Sequence, residues 1–122
     1  IDEHGFFGIL DLKVLNLNGN RLKHLNINFL ISLEQIIIDN NLFESIDDRM
    51  FFNLSKLDYI SLIKNNITYF SEKALETNIR LKSILMGNNK LEIILLKDHF
   101  NLLRISLGRN EFSLIKNGTI IN

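Results

Sequence analysis

The residues of this chain whose types could do chemistry are three histidines, two adjacent carboxylate pairs, two glycine-bearing turns and three Asn-x-Ser/Thr triplets. Metal ligands and catalytic triads must converge on one point. His4, His24 and His99 occupy unrelated places, and none has a partner at a ligand or triad spacing nearby. Asp2-Glu3 and Asp47-Asp48 could act as general acid and base. Carboxylates in such a setting more simply start a helical turn or face water. Gly19-Asn20 and Gly87-Asn88-Asn89 have the composition of turns, without the strand–loop–helix context of a phosphate cradle. No nucleophile elbow or dinucleotide fingerprint occurs. These residues imply no enzyme activity, no metal and no cofactor.

The triplets are a different kind of chemistry. Asn53-Leu54-Ser55, Asn66-Ile67-Thr68 and Asn117-Gly118-Thr119 are acceptors for N-linked glycan when a chain passes through the secretory route. With 17 Asn and 11 Ser plus Thr among 122 residues, chance alone supplies about 1.5 such triplets. Three is a mild excess.

The element that must carry all of these residues is a repeat. The spacing L-x-x-L-x-L-x-x-N-x-L occurs five times, from Leu12, Leu33, Leu57, Leu81 and Leu102, with starts 21, 24, 24 and 21 residues apart. A window with five in-phase apolar positions and one Asn arises by chance about once in five hundred. Repeat positions 4 and 6 alternate with polar or variable residues, the period of a strand with one buried face. The expected inward residues are Leu15 and Leu17, Ile36 and Ile38, Ile60 and Leu62, Ile84 and Met86, Ile105 and Leu107. The chain then turns at Asn20, Asn41, Asn65, Asn89 and Asn110. A side-chain amide can satisfy backbone groups left unpaired by a turn, so the five Asn should form one hydrogen-bonding ladder. Leu22, Phe43, Ile67, Leu91 and Phe112 then re-enter the core.

The return half of each repeat is looser. Ile46, Phe51, Leu54 and then Leu57 mark its apolar positions, and Ile1, Phe6, Ile9 and Leu12 match the same half. The expected organisation is a partial repeat 1–11 followed by repeats 12–32, 33–56, 57–80, 81–101 and 102–122, the last incomplete, as in a piece of a longer solenoid. The repeats from Leu12 and Leu81 are three residues short, and Asn78 and His99 stand where an apolar residue is usual. Those two places should be the loosest on this side.

At 46% hydrophobic, without Pro and with sparse Gly, the chain has material for one continuous elongated core and no linker. No apolar run reaches the length of a membrane span. The absence of Cys fits a cytoplasmic scaffold, whereas the sequons fit an extracellular chain. Formal net charge is zero, which disfavours nucleic acid as partner. Lys64, Lys82, Arg104 and Arg109 nevertheless gather in the last three repeats, with Glu34, Asp39 and Asp58 earlier.

Over essentially its whole length the chain resembles the leucine-rich repeat family, and its 24-residue repeats are similar to those of Toll and Toll-like receptor ectodomains and insect secreted repeat proteins. The resemblance implies an α/β solenoid: a horseshoe with a concave parallel sheet and an irregular or short-helical convex side. It also implies recognition of a protein or a pathogen-derived ligand, in innate immunity or adhesion, by a receptor ectodomain or secreted protein; an intracellular scaffold is the alternative.

Side chains at repeat positions 3, 5 and 7 should point out of the concave sheet. Ile37, Tyr59, Ile63 and Leu85 come from three adjacent strands and should form one outward apolar patch. Gln35, Asp39 and Arg104 should supply its polar rim.

Overall fold

Three-residue strands recur at the place in each repeat where the apolar alternation expects them. The computed structural model describes residues 9–96 and 101–112. Its chain order is β1 (Val14–Asn16), β2 (Gln35–Ile37), β3 (Ser45–Ile46), β4 (Tyr59–Ser61), β5 (Tyr69–Phe70), β6 (Ser83–Leu85) and β7 (Arg104–Ser106). The main sheet runs β1-β2-β4-β6-β7, all parallel, and places Leu15, Ile36, Ile60, Ile84 and Ile105 side by side. On the return side β3 pairs with β5. The fold is a leucine-rich-repeat solenoid, with short turns rather than helices on the convex side among the described residues.

The inward positions bury as their period requires. Ile36, Ile38, Ile60, Leu62, Ile84 and Met86 are fully buried. Leu17, just after β1, and Ile105, on β7, pack at the edge of the same core. Ile46, Phe51, Leu54 and Leu57 close it from the return side. Every repeat therefore buries its face against the next, and stability is shared between neighbours.

Beyond each strand the main chain turns out of the sheet through a residue in the left-handed region. Repeat position 8 has positive φ throughout: Gly19 (71°), Asn40 (53°), Lys64 (56°), Asn88 (56°) and Arg109 (57°). Gly and Asn accept this conformation readily, whereas Lys and Arg hold it at a cost of about 1 kcal/mol. Gly87 lies outside this pattern. It has no positive φ, so it is not the turn glycine that its sequence suggests. A methyl on its Cα would come 3.2 Å from the Gly108 carbonyl oxygen, so it is a glycine of close approach.

The turn Asn residues join the repeats. The Asn41 Oδ1 accepts from the backbone N–H groups of Asn20 (3.0 Å) and Leu22 (2.9 Å), while its Nδ2 donates to the carbonyls of Leu17 (3.0 Å) and Ile38 (3.1 Å). Asn65 repeats the arrangement on Phe43, Ile38 and Leu62, and Asn89 on Ile67, Leu62 and Met86. Asn110 accepts from Leu91 and donates to Met86 and Leu107. Each position-6 carbonyl from Leu17 to Met86 thus receives two amides, its own and that of the following repeat.

The convex side has amide bonds of its own. Asn28 donates to the carbonyls of Arg49 (2.8 Å) and Phe52 (2.9 Å), and Asn101 to Ile79 (2.9 Å). Asn78 is fully buried and donates to Phe51 (2.9 Å) and Leu54 (3.0 Å). It stands in the Leu54 position of its repeat, yet it is pinned and not loose. The expectation fails because an amide can replace apolar packing where neighbouring turn carbonyls offer acceptors. Its Oδ1 has no hydrogen-bond partner. His99, the other expected loose point, lies outside the described residues. The Asp47 Oδ1 caps a turn by accepting from the N–H groups of Arg49 (2.9 Å) and Met50 (3.0 Å). One repeat later the Ser71 hydroxyl accepts from Lys73 N–H and donates to Asp48. The carboxylate pair is structural.

Candidate functional site

Alternation along the strands and register across them together define the outward surface. Ser61 lies at its centre. Its register partners are Ile37 on β2 and Leu85 on β6. Tyr59 and Ile63 are its neighbours on the same face of its own repeat, two residues away on either side. These four apolar residues are the expected patch, and they close around Ser61, which is only 1% exposed. Ile37, Tyr59 and Ile63 remain half-buried and accessible. Leu85 is buried at 8% exposure, so it contributes packing and little contact surface. A small residue in the middle of an inward-curving sheet lets the larger ones converge.

Beneath the patch lies a polar lock that alternation alone does not reveal. The Asp39 Oδ1 accepts from the Ser61 hydroxyl (2.6 Å) and the Ile63 backbone N–H (2.8 Å). The sequence puts Asp39 on the polar rim, but that oxygen is committed to the neighbouring repeat. It satisfies a backbone donor where regular strand pairing has ended. Asn18 and Asn40 make a similar side-chain bridge one repeat earlier (2.9 Å). Gln35 and Arg104 are exposed in the Tyr59 row, flanking it in register through Ser83. The structure therefore brings Ile37, Tyr59, Ile63 and Gln35 together, leaves Arg104 two strands away and ties one oxygen of Asp39 sideways to the next repeat.

The other candidates are placed apart from this surface. Asn53 is exposed on the convex side with φ of 70°, and its N–H donates to the Thr77 hydroxyl (3.0 Å). Asn66 is half-buried on the lateral edge beyond β4, with its N–H donated to the Phe43 carbonyl (2.9 Å). Asn117 lies outside the described residues, as do His4 and the Asp2-Glu3 pair. His24 lines a cleft of about 260 Å³ between the short first repeat and β3, together with Lys23, Asn26, Ser45, Asp47 and Arg49. The Asp47 Oδ1 is already engaged there by its turn cap. No group of three His, Cys, Asp or Glu able to hold a metal occurs among the described residues. No helix among them is long and apolar enough to cross a membrane.

Comparison with known proteins agrees with this architecture. Residues 31–91 match the family model described as leucine rich repeat. The chain is 37% identical to mouse keratocan over 89 residues, covering 71% of this chain and 25% of keratocan, and 36% identical to human keratocan over the same length. It thus spans about a quarter of the length of the curated relatives it matches. Among solved structures, Toll in the Drosophila Toll–Spatzle complex superposes with a TM-score of 0.79 at 21% identity, covering 93% of this chain and 17% of that one. That likeness speaks for the fold. The motif spacing, the parallel sheet with its Asn ladder and the family match together make this chain a member of the leucine-rich repeat family.

Proposed function

We propose that this segment is a non-catalytic recognition module of an extracellular protein, a receptor ectodomain or a secreted immune or adhesion protein, that docks a protein or pathogen-derived ligand on its concave sheet. The observation that carries this reading is the accessible trio Ile37, Tyr59 and Ile63 arranged around a sealed, hydrogen-bonded Ser61–Asp39 centre. Side chains already ordered by strand backbone and by packing lose little entropy on binding, which is what an interface anchor requires. Protein recognition also fits the relatives. The Toll structure is a complex with Spatzle.

Exposure alone would choose a different aromatic. Tyr69 on β5 is 57% exposed, more than Tyr59, but it stands on the two-stranded return-side sheet. The two tyrosines give the test an internal control. A photo-cross-linking phenylalanine analogue placed at position 59 should join a protein ligand, and the same analogue at 69 should not. Capture at 69 alone would place recognition on the return side and refute the reading. For the extracellular assignment, mass spectrometry after secretion from eukaryotic cells should find glycan on Asn53 and Asn66. All sequons bare on a secreted chain would count against it.

A further inference from the structure

The charges along the strand-start edge of the concave sheet change sign from repeat to repeat, and their order says something about the partner. At the strand-start edge, repeat position 2 holds Lys13, Glu34, Asp58 and Lys82 in the repeats from Leu12, Leu33, Leu57 and Leu81, and Arg104 stands at position 3 of the repeat from Leu102. At the strand-end edge, Lys64 and Arg109 follow β4 and β7. None of Lys64, Lys82, Arg104 and Arg109 has an ion-pair partner among the described residues. Between the two edges the floor is uncharged and low: Ser83, Gly87, Ser106 and Gly108, with the covered Leu85. Beside it, a cleft of about 380 Å³ has mixed charge, lined by Lys56, Arg80 and Lys82 together with Glu34 and Asp58, and marks where the sign changes.

We propose that the β6–β7 half of this sheet seats an acidic extended segment of the protein partner; this rests on the concave reading above and names the chemistry of its ligand. Positions 2 and 3 at one edge and position 8 at the other bound the floor between them. A chain lying midway across the strands sends successive side chains to opposite edges, where the long Lys and Arg stems reach over the floor to meet them. Glycine at positions 87 and 108 lets its backbone approach closely. The β2–β4 part of the same surface repels such a segment through Glu34 and Asp58, so the acidic end is held toward β7. Nucleic acid fits less well. The cations form two short rims and not a continuous track, and the two carboxylates lie within the path of any longer polyanion.

The test uses the whole isotope-labelled chain and three probes: a peptide alternating Glu and Ser, its Gln-Ser counterpart, and an oligothymidylate of equal charge. The Glu-Ser peptide should shift the amide resonances of β6 and β7, bind more weakly as salt rises, and bind at least about tenfold more tightly than the Gln-Ser peptide. Lys82→Glu with Arg104→Glu should weaken it about tenfold, while Lys23→Glu with Arg49→Glu leaves it unchanged. If charge reversal impairs folding by circular dichroism, Lys82→Gln with Arg104→Gln replaces it and should weaken binding in the same direction. No binding, equal binding of the neutral peptide, shifts mapping elsewhere, indifference to both double variants, or tighter binding of the oligothymidylate would each overturn the proposal. A partner cross-linked at position 59 that loses affinity with Tyr59→Ala but ignores both double variants would refute the acidic seat and leave concave recognition standing.

Discussion

Replacing Asn65 and Asn89 together by Ala should destabilise the solenoid by more than the sum of the two single replacements. The reason is a shared acceptor. Asn65→Ala orphans the Phe43 N–H, which the Oδ1 of Asn65 accepts at 3.2 Å. None of its three carbonyl acceptors is orphaned, since Ile38 keeps the Asn41 amide, Leu62 keeps the Asn89 amide and Ile63 keeps the Asn40 N–H. One buried donor left unpaired costs about 1–3 kcal/mol. Asn89→Ala is equivalent: it orphans the Ile67 N–H, while Leu62 keeps Asn65 and Met86 keeps Asn110. In the double variant the Leu62 carbonyl loses both donors at once. The extra orphan should appear as a coupling energy of about 1–2 kcal/mol. Asn41 and Asn89 share no acceptor, so that pair should add to within about 0.5 kcal/mol. Urea unfolding followed by far-ultraviolet circular dichroism and tyrosine fluorescence gives all the required stabilities, provided the two signals coincide. Additivity of the Asn65–Asn89 pair, or equal coupling in both pairs, would refute the shared-acceptor ladder.

Other substitutions test individual features. Lys64→Asn should raise stability by about 0.5–1 kcal/mol in the same urea assay, because Asn accepts the left-handed φ of 56° at this position; a loss would mean that the Lys64 side chain contributes packing. Gly87→Ala should cost about 1–2 kcal/mol, since its methyl meets the Gly108 carbonyl oxygen at 3.2 Å. An unchanged midpoint would show that β6 and β7 yield easily. Asn78→Leu should be neutral or stabilising and Asn78→Ala destabilising, because Leu restores apolar volume and removes an unpaired buried oxygen. The acceptors Phe51 and Leu54 each keep a backbone donor. Equal destabilisation by both would mean that the amide bonds outweigh the packing.

How much of this was legible in the sequence follows from what repeats. Inward positions such as Ile60 and Leu62 make the same contact in every repeat, so hydropathy period alone reveals them. The turn Asn is legible for the same reason. Position 8 is not, because hydropathy carries no information about φ; the only trace is Gly19, Asn40 and Asn88 among its five residues. Asp39 reads as a solvated strand residue, and only the register shows the Ser61 hydroxyl and Ile63 N–H within its reach. The burial of Leu85 depends on Ser61 beside it, a relation between repeats that a single repeat's pattern does not contain. Asn78 is misread because a lone polar residue in an apolar column suggests poor packing, while its acceptors lie a full repeat earlier.

The central claim, that the concave surface around Ser61 is where a partner docks, is tested most directly by one titration. The protein cross-linked at position 59 is purified and titrated by calorimetry against the parent chain and against the Tyr59→Ala, Ile63→Ala double variant. Each removed anchor should cost about 1–2 kcal/mol of binding, so affinity should fall about thirtyfold or more. The melting temperature should move little, because both side chains are half-buried on the outward face and lie outside the core cluster. Unchanged affinity in a variant that melts with the parent would contradict the account.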